Sequence, residues 1–194
     1  DLSSIKPSVS GPSRPHDRFD RAAAKVRFRA ICAERGVDRD KAVEVELGGD
    51  SYQLKSGAIA IAAVTSCTTA TDPRMMLACG LIARNAARAG LKPKPWVKCV
   101  YAPGSHAMQL LIERTGLSDG LQQLGFHTCG FGCMSCIGNS GPIIPEMHEV
   151  CGDIELASVL SGNRNFEGRI SPDVSQNYLM TPASVIAYSL VGTM

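Results

Sequence analysis

The chain has 194 residues, 44% hydrophobic and 20% charged, a length and apolar content that suit one globular core. Its 8 cysteines are too sparse for a disulfide scaffold, and no run reaches the roughly 18 apolar residues of a bilayer span. With 20 Lys+Arg against 18 Asp+Glu the net charge is +2, which excludes the global basic field of a dedicated nucleic-acid binder.

The first 18 residues, DLSSIKPSVSGPSRPHDR, are rich in proline and serine and lack apolar periodicity, so they are expected to form an extended junction lying on something else. Asp20 to Arg35 is rich in good helix formers and stops at Gly36, which predicts a first helix. Val43 to Leu47 alternates apolar and polar residues, and Gly48-Gly49-Asp50 breaks the run before Tyr52, as in a hairpin wetted on one face. Ala58 to Val64 is continuously apolar, the pattern of a strand buried on both faces of a parallel sheet. A loop with Cys67 follows, and Asp72-Pro73 opens a helix that runs to Gly90, its interior Gly80 implying close packing. The same unit recurs. Trp96 to Tyr101 reads as a strand, Ser105 caps a helix through Arg114, and Ser118 to Leu124 forms a second short helix. Phe126 to Cys129 then begins another strand. After a Gly-rich loop with Cys133 and Cys136 come a helix near Pro145 to Val150, a strand Leu156 to Leu160, a polar loop Ser161 to Arg169, and a helix from Pro182 to Gly192. Repeated βα units predict an α/β fold, a three-layer α/β/α sandwich with a mainly parallel sheet. Loops that directly follow the strands then open on one C-terminal sheet edge, where such folds bind ligands.

The cysteines divide by context. Cys32, Cys79, Cys99 and Cys151 fall within or beside predicted elements and read as small buried apolar residues. Cys67 in TSCTTATD and the Cys133/Cys136 pair in GFGCMSCIGNSG lie in loops that expose sulfur, and glycines there let backbone amides approach an inorganic cluster. Three thiolates could hold zinc with a fourth ligand from Cys129, His127 or water, or three irons of a four-iron cluster with the last iron open. A thioredoxin-like CxxC would open a helix directly, which Gly138 to Pro142 disfavours. Cys129, Cys133 and Cys136 also spell CxxxCxxC, as in radical S-adenosylmethionine enzymes, but late in a short chain and with Ser135 where an aromatic is usual.

Taken together, TSCT at Cys67, GCMSCIGNSG around Cys133 and Cys136, and SGNRNFEGR at Ser161 to Arg169 resemble the aconitase superfamily. SGPSRPHDR at Ser10 to Arg18, KPWVK at Lys94 to Lys98 and APGS at Ala102 to Ser105 extend the likeness, most closely to the branch of bacterial aconitases and iron regulatory proteins. The resemblance implies a third, cluster-bearing α/β/α domain over residues 19–194, with residues 1–18 as the junction, and so a fragment of a larger multidomain enzyme. It implies a [4Fe-4S] cluster on Cys67, Cys133 and Cys136, Arg164 and Arg169 as carboxylate binders, and Asn163 close to the cluster. Arg presents a planar fork that pairs bidentately with carboxylate, which suits that role. The alternative is that both arginines tie their loop to Glu167 or Asp173 and that Asn163 is a plain turn residue.

The implied reaction is the reversible dehydration and rehydration of citrate to isocitrate through cis-aconitate, a tricarboxylic acid cycle step, with the open iron as Lewis acid. A 2-methylcitrate-type dehydratase and a cluster-free RNA-binding module of the iron-responsive kind are the alternatives. Thr69 stands where many relatives have Asn, and His106 where Lys or Arg is common, and both bear on the substrate. Relatives take their catalytic base from a serine in another domain, so no catalytic base is assigned within this chain. His16, His106, His127 and His148 have no carboxylate at suggestive spacing. The expected partners are a tricarboxylate and the remaining domains of the same enzyme, with no membrane and no DNA. For RNA, Arg84, Arg88, Lys92, Lys94 and Lys98 supply charge, but 5% aromatic content offers no stacking platform. Reduced cysteines fit the cytoplasm, the location expected here.

Overall fold

A computed structural model of the protein describes residues 1–67, 71–136 and 138–194. In chain order its elements are β1 (Ser8–Ser10), β2 (Arg18–Asp20), α1 (Ala24–Glu34), β3 (Ala42–Leu47), β4 (Asp50–Lys55), β5 (Ile59–Thr65), α2 (Pro73–Arg88) and β6 (Lys98–Ala102). They continue with α3 (His106–Arg114), α4 (Ser118–Gln123), α5 (Pro145–Glu149), β7 (Ala157–Leu160), β8 (Gln176–Leu179) and α6 (Pro182–Val191). Six strands form one sheet in the order β2-β1-β8-β7-β5-β6, and β3 pairs with β4 as a separate hairpin. The four strands β8, β7, β5 and β6 run parallel, while β1 and β2 join antiparallel at the edge. The fold is therefore α/β with a mixed, mostly parallel sheet flanked by helices.

The apolar run becomes the interior strand β5, between β7 and β6, every residue of which is buried. A bulge between Ile59 and Ile61 shifts its alternation. Ile59, Ala62 and Val64 then pack with Cys79 and Ala83 of α2 and with Val185 and Ile186 of α6. Ala60, Ile61 and Ala63 pack the other way, against Val45, Leu47 and Leu54 of the hairpin and Met147 of α5. The second face is thus covered by a hairpin and a single helical turn rather than by the full helical layer of a three-layer sandwich. On the first face, a Cβ on Gly80 would lie 2.8 Å from Leu117 Cβ, so the close packing expected there is real.

Two expectations are corrected. Phe126 to Cys129 contributes one isolated bridge, Thr128 to Tyr101, and no strand. The fourth parallel strand is instead Gln176–Leu179, whose polar residues hide it from hydropathy. Gln176 and Asn177 are fully buried because they are satisfied sideways: Ser158 Oγ donates to Asn177 Oδ1 at 2.6 Å, and Tyr178 OH donates to Gln176 Oε1 at 2.6 Å. The proline-rich lead-in lies across this strand. Asn177 N donates to the Pro12 carbonyl at 2.7 Å, and Ser10 registers with Leu179. Among the described residues, no helix is long and apolar enough to cross a membrane.

Candidate functional site

The C-terminal ends of β5, β6 and β7 converge on one edge, and the parallel topology delivers the three motif loops there. Thr65, fully buried at the end of β5, ties them together: its amide donates to Ser161 Oγ at 3.0 Å and its hydroxyl to the Gly132 carbonyl at 3.0 Å. Gly132 N in turn donates to the Pro103 carbonyl at 2.8 Å, and Cys129 N donates to the Tyr101 carbonyl at 2.9 Å. Two glycines make the close approach possible. A Cβ on Gly162 would stand 2.8 Å from Cys136 Cβ and 3.0 Å from its Sγ; one on Gly104 would stand 2.1 Å from Thr71 Oγ1 and 2.9 Å from the Cys67 carbonyl.

All eight cysteines are free. Cys67 and Cys133 are half-buried with their sulfurs 3.0 Å apart. Cys136 is 1% exposed and turns towards the polar loop: its thiol donates to Asn163 Oδ1 at 2.7 Å, and Asn163 N donates back to the sulfur at 3.3 Å. Asn163 is therefore a partner of Cys136, more than a turn residue. The three cysteines do not close around a single point as ligands of one ion would; among the described residues the group that does is His148, Cys151 and Asp173.

The thiol edge carries the chemistry of a place for a cation. The Cys133 thiol is pushed up to about 11, first by its hydrogen bond with Cys67, then by burial and by the neighbouring Cys67 and Cys136 sulfurs, with nothing acting to lower it. Ser135, between Cys133 and Cys136, is fully buried, and its hydroxyl has no partner among the described residues. A soft, positively charged group bound to the sulfurs would stabilise the thiolates, and the donor set fits a cluster on chemical grounds, because each thiolate then binds a different iron. The Cys67 and Cys133 sulfurs would have to part to make room for it.

The polar loop after β7 is pinned by a residue that the sequence reading passed over. Asn165 is fully buried and donates to the Asn177 carbonyl at 2.8 Å and the Ser10 carbonyl at 3.3 Å, joining the loop to both β8 and the lead-in. An asparagine inside a run of polar residues gives no sign of burial. Arg164 is exposed and, among the described residues, enters no ion pair. The Arg169 guanidinium carbon lies 5.8 Å from the centroid of the Phe166 ring, and Asn139 Nδ2 donates to the Arg169 carbonyl at 3.4 Å. Glu167 pairs with Arg35 and Asp173 with His148. His148 therefore has a carboxylate partner, one that sequence spacing does not suggest because Asp173 stands 25 residues away in the chain.

Among the positions that depart from the family pattern, His106 is exposed on the first turn of α3 and meets Phe131 of the Gly-rich loop edge-on, ring centroids 6.2 Å apart. Thr69 lies outside the described residues, as do Thr68 of the TSCT motif and Ile137 of the GCMSCIGNSG motif. Cys129 and His127 are exposed, and the Cys129 thiol donates to the His127 carbonyl at 3.2 Å. Of the basic residues considered for RNA, Lys98 is committed to the protein, donating to the Ser140 and Pro142 carbonyls at 2.6 and 2.7 Å.

An α/β sheet whose C-terminal edge gathers free thiols, crowding glycines and an arginine-bearing loop belongs to the class of α/β folds in which that edge is the usual place for ligands. Comparison with known proteins narrows the class: residues 1–192 match the aconitase family (aconitate hydratase), and the chain belongs to that family. It is 47% identical to phosphinomethylmalate isomerase of Streptomyces viridochromogenes, and 45% and 44% identical to aconitate hydratase A of Deinococcus radiodurans and of Thermus thermophilus. Each alignment covers 100% of this chain but only 22 to 23% of the relative, so the chain spans less than a quarter of the length of these three relatives.

Proposed function

We propose that this chain is the cluster-bearing α/β segment, the third domain, of an aconitase-family hydro-lyase or isomerase acting on a citrate analogue. Residues 19–194 form that domain and 1–18 the junction to it. In this reading Cys67, Cys133 and Cys136 hold a [4Fe-4S] cluster, and Arg164 and Arg169 receive substrate carboxylates. When bound, the cluster supplies a Lewis-acidic iron that makes a substrate hydroxyl a better leaving group.

The observation that carries the reading is the two-way bond between Asn163 and Cys136, at 2.7 and 3.3 Å. It couples the sulfur site to the loop that bears both arginines, so carboxylate capture and the thiols belong to one unit. Asn165 and Thr65 fix the distance between loop and strand end. Arg164, exposed and without an ion pair among the described residues, is ready to engage an anion. The proton-abstracting base comes from the remaining domains. Free cysteines throughout suit the reducing cytoplasm.

The analogue is favoured over citrate by two observations. The Streptomyces relative takes, by its name, a malate carrying a phosphinomethyl arm. His106 places an imidazole beside the Gly-rich loop, a shorter aromatic group in place of the long cationic Lys or Arg common there. The test compares citrate, 2-methylcitrate and phosphinomethylmalate as substrates of the full-length enzyme. The expected result is a higher kcat/KM for one of the two analogues, lowered at least about tenfold by Arg169→Ala; preference for citrate would return the substrate to citrate itself, and unchanged activity in Arg169→Ala would remove the carboxylate role.

A further inference from the structure

Away from the thiol edge, three donors of different chemistry meet. His148 lies in the last turn of α5, Cys151 follows at i+3, and Asp173 precedes β8. His148 Nδ1 stands 3.1 Å from Asp173 Oδ1, and one donor atom from each of the three residues lies within 4.8 Å of the others. The arrangement is held by the backbone: Cys151 N donates to the His148 carbonyl at 3.3 Å, which folds the two residues together, and Asp173 N donates to Ser171 Oγ at 3.3 Å. Cys151 and Asp173 come just ahead of β7 and β8, so the group belongs to the N-terminal edge of the sheet, opposite the thiol loops.

We propose that His148, Cys151 and Asp173 form a separate site for a divalent transition-metal ion of the zinc type. A tetrahedral ion held by nitrogen, oxygen and sulfur at about 2.0–2.3 Å has ligand-to-ligand edges of about 3.3–3.8 Å. The His148–Asp173 pair is already near that spacing, and Cys151 has to move by no more than about an ångström to complete it. One sulfur, one nitrogen and one oxygen select zinc or cobalt over magnesium or calcium, which prefer oxygen alone. The charges also ask for a cation. The Asp173 side chain is only 15% exposed and the Cys151 sulfur lies close to it, so a cation is the natural complement of both donors. A divalent ion would neutralise both, binding the sulfur as the thiol gives its proton to solvent. The fourth position is left to water on the side where His148 is exposed. The site stands independently of the cluster reading, since it shares no residue with the thiol edge.

The test uses the chain in which Cys67, Cys133 and Cys136 are all serine, so that metal bound at the thiol edge cannot mimic the result. Titration with Co2+ alone, under argon, is expected to give one equivalent bound with a sulfur-to-cobalt charge-transfer band, abolished by Cys151→Ser and weakened at least tenfold by Asp173→Asn. Absence of the band, or its survival in Cys151→Ser, would overturn the site. The unmodified chain gives a second readout that needs no variant. Excess Zn2+ should slow alkylation of Cys151, followed by peptide mass spectrometry, at least tenfold, and an unchanged rate would count against the proposal.

Discussion

The cysteines of α2 and β6 and those of the edge loops share one side-chain chemistry and differ in everything else. Cys79 is fully buried in the helical face of the core, and desolvation pushes it, like Cys99, up to about 12. It behaves as a small apolar residue that stays neutral at physiological pH. Cys67, Cys133 and Cys136 sit where strands end, among glycines and loop amides, and there the neighbouring sulfurs and an asparagine act on them. Placement on the fold, not residue type, separates a packing sulfur from one placed to act as a donor.

The largest contrast should appear in alkylation with iodoacetamide at pH 8. Exposed Cys129 and half-buried Cys67 should label first, and Cys79 slower by about a thousandfold or more, because it reacts only when the domain opens. Comparable rates, read by peptide mass spectrometry, would break the distinction. The next effect is on stability. Ile61→Ala, in the fully buried β5, should cost about 2–5 kcal/mol in urea unfolding, whereas Cys133→Ser on the edge should stay within about 0.5 kcal/mol. The alkaline limb follows from the core cysteines. Their folded pKa lies above the ordinary 9.0, so the stability they lend is complete below pH 9 and is lost as the pH climbs towards 12. The urea midpoint should fall over that window, and less steeply in Cys79→Ala. The smallest effect is at the cap of α3, where Ser105 Oγ accepts from Met108 N at 3.3 Å; Ser105→Ala should cost about 1 kcal/mol and leave the thiols as they are.

The same contrast explains what could be read from the sequence. The apolar run that becomes β5, the Asp72-Pro73 start of α2 and the Ser105 cap announce themselves locally, and so does the clustering of Cys67, Cys133 and Cys136 on one edge once the strands are parallel. Strand β8 does not, because its buried Asn177 is satisfied by Ser158 of β7 and its buried Gln176 by Glu155 and the neighbouring Tyr178 hydroxyl. Asn165 is hidden for the same reason, and His148 and Asp173 meet through two loops that no spacing rule connects. Apolar burial is written in hydropathy, whereas polar burial is written in tertiary contacts.

The central claim is that the thiol edge is a cluster site. The most direct test is anaerobic reconstitution with iron and sulfide, iron and sulfide counts, and EPR after mild oxidation, on the chain itself, on Cys133→Ser and on Cys79→Ala. The account expects the iron and sulfide of one [4Fe-4S] cluster per chain, converting to an EPR-active three-iron form, in the unmodified chain and in Cys79→Ala but not in Cys133→Ser. Equal iron and sulfide in Cys133→Ser, or none in any of the three, would contradict it.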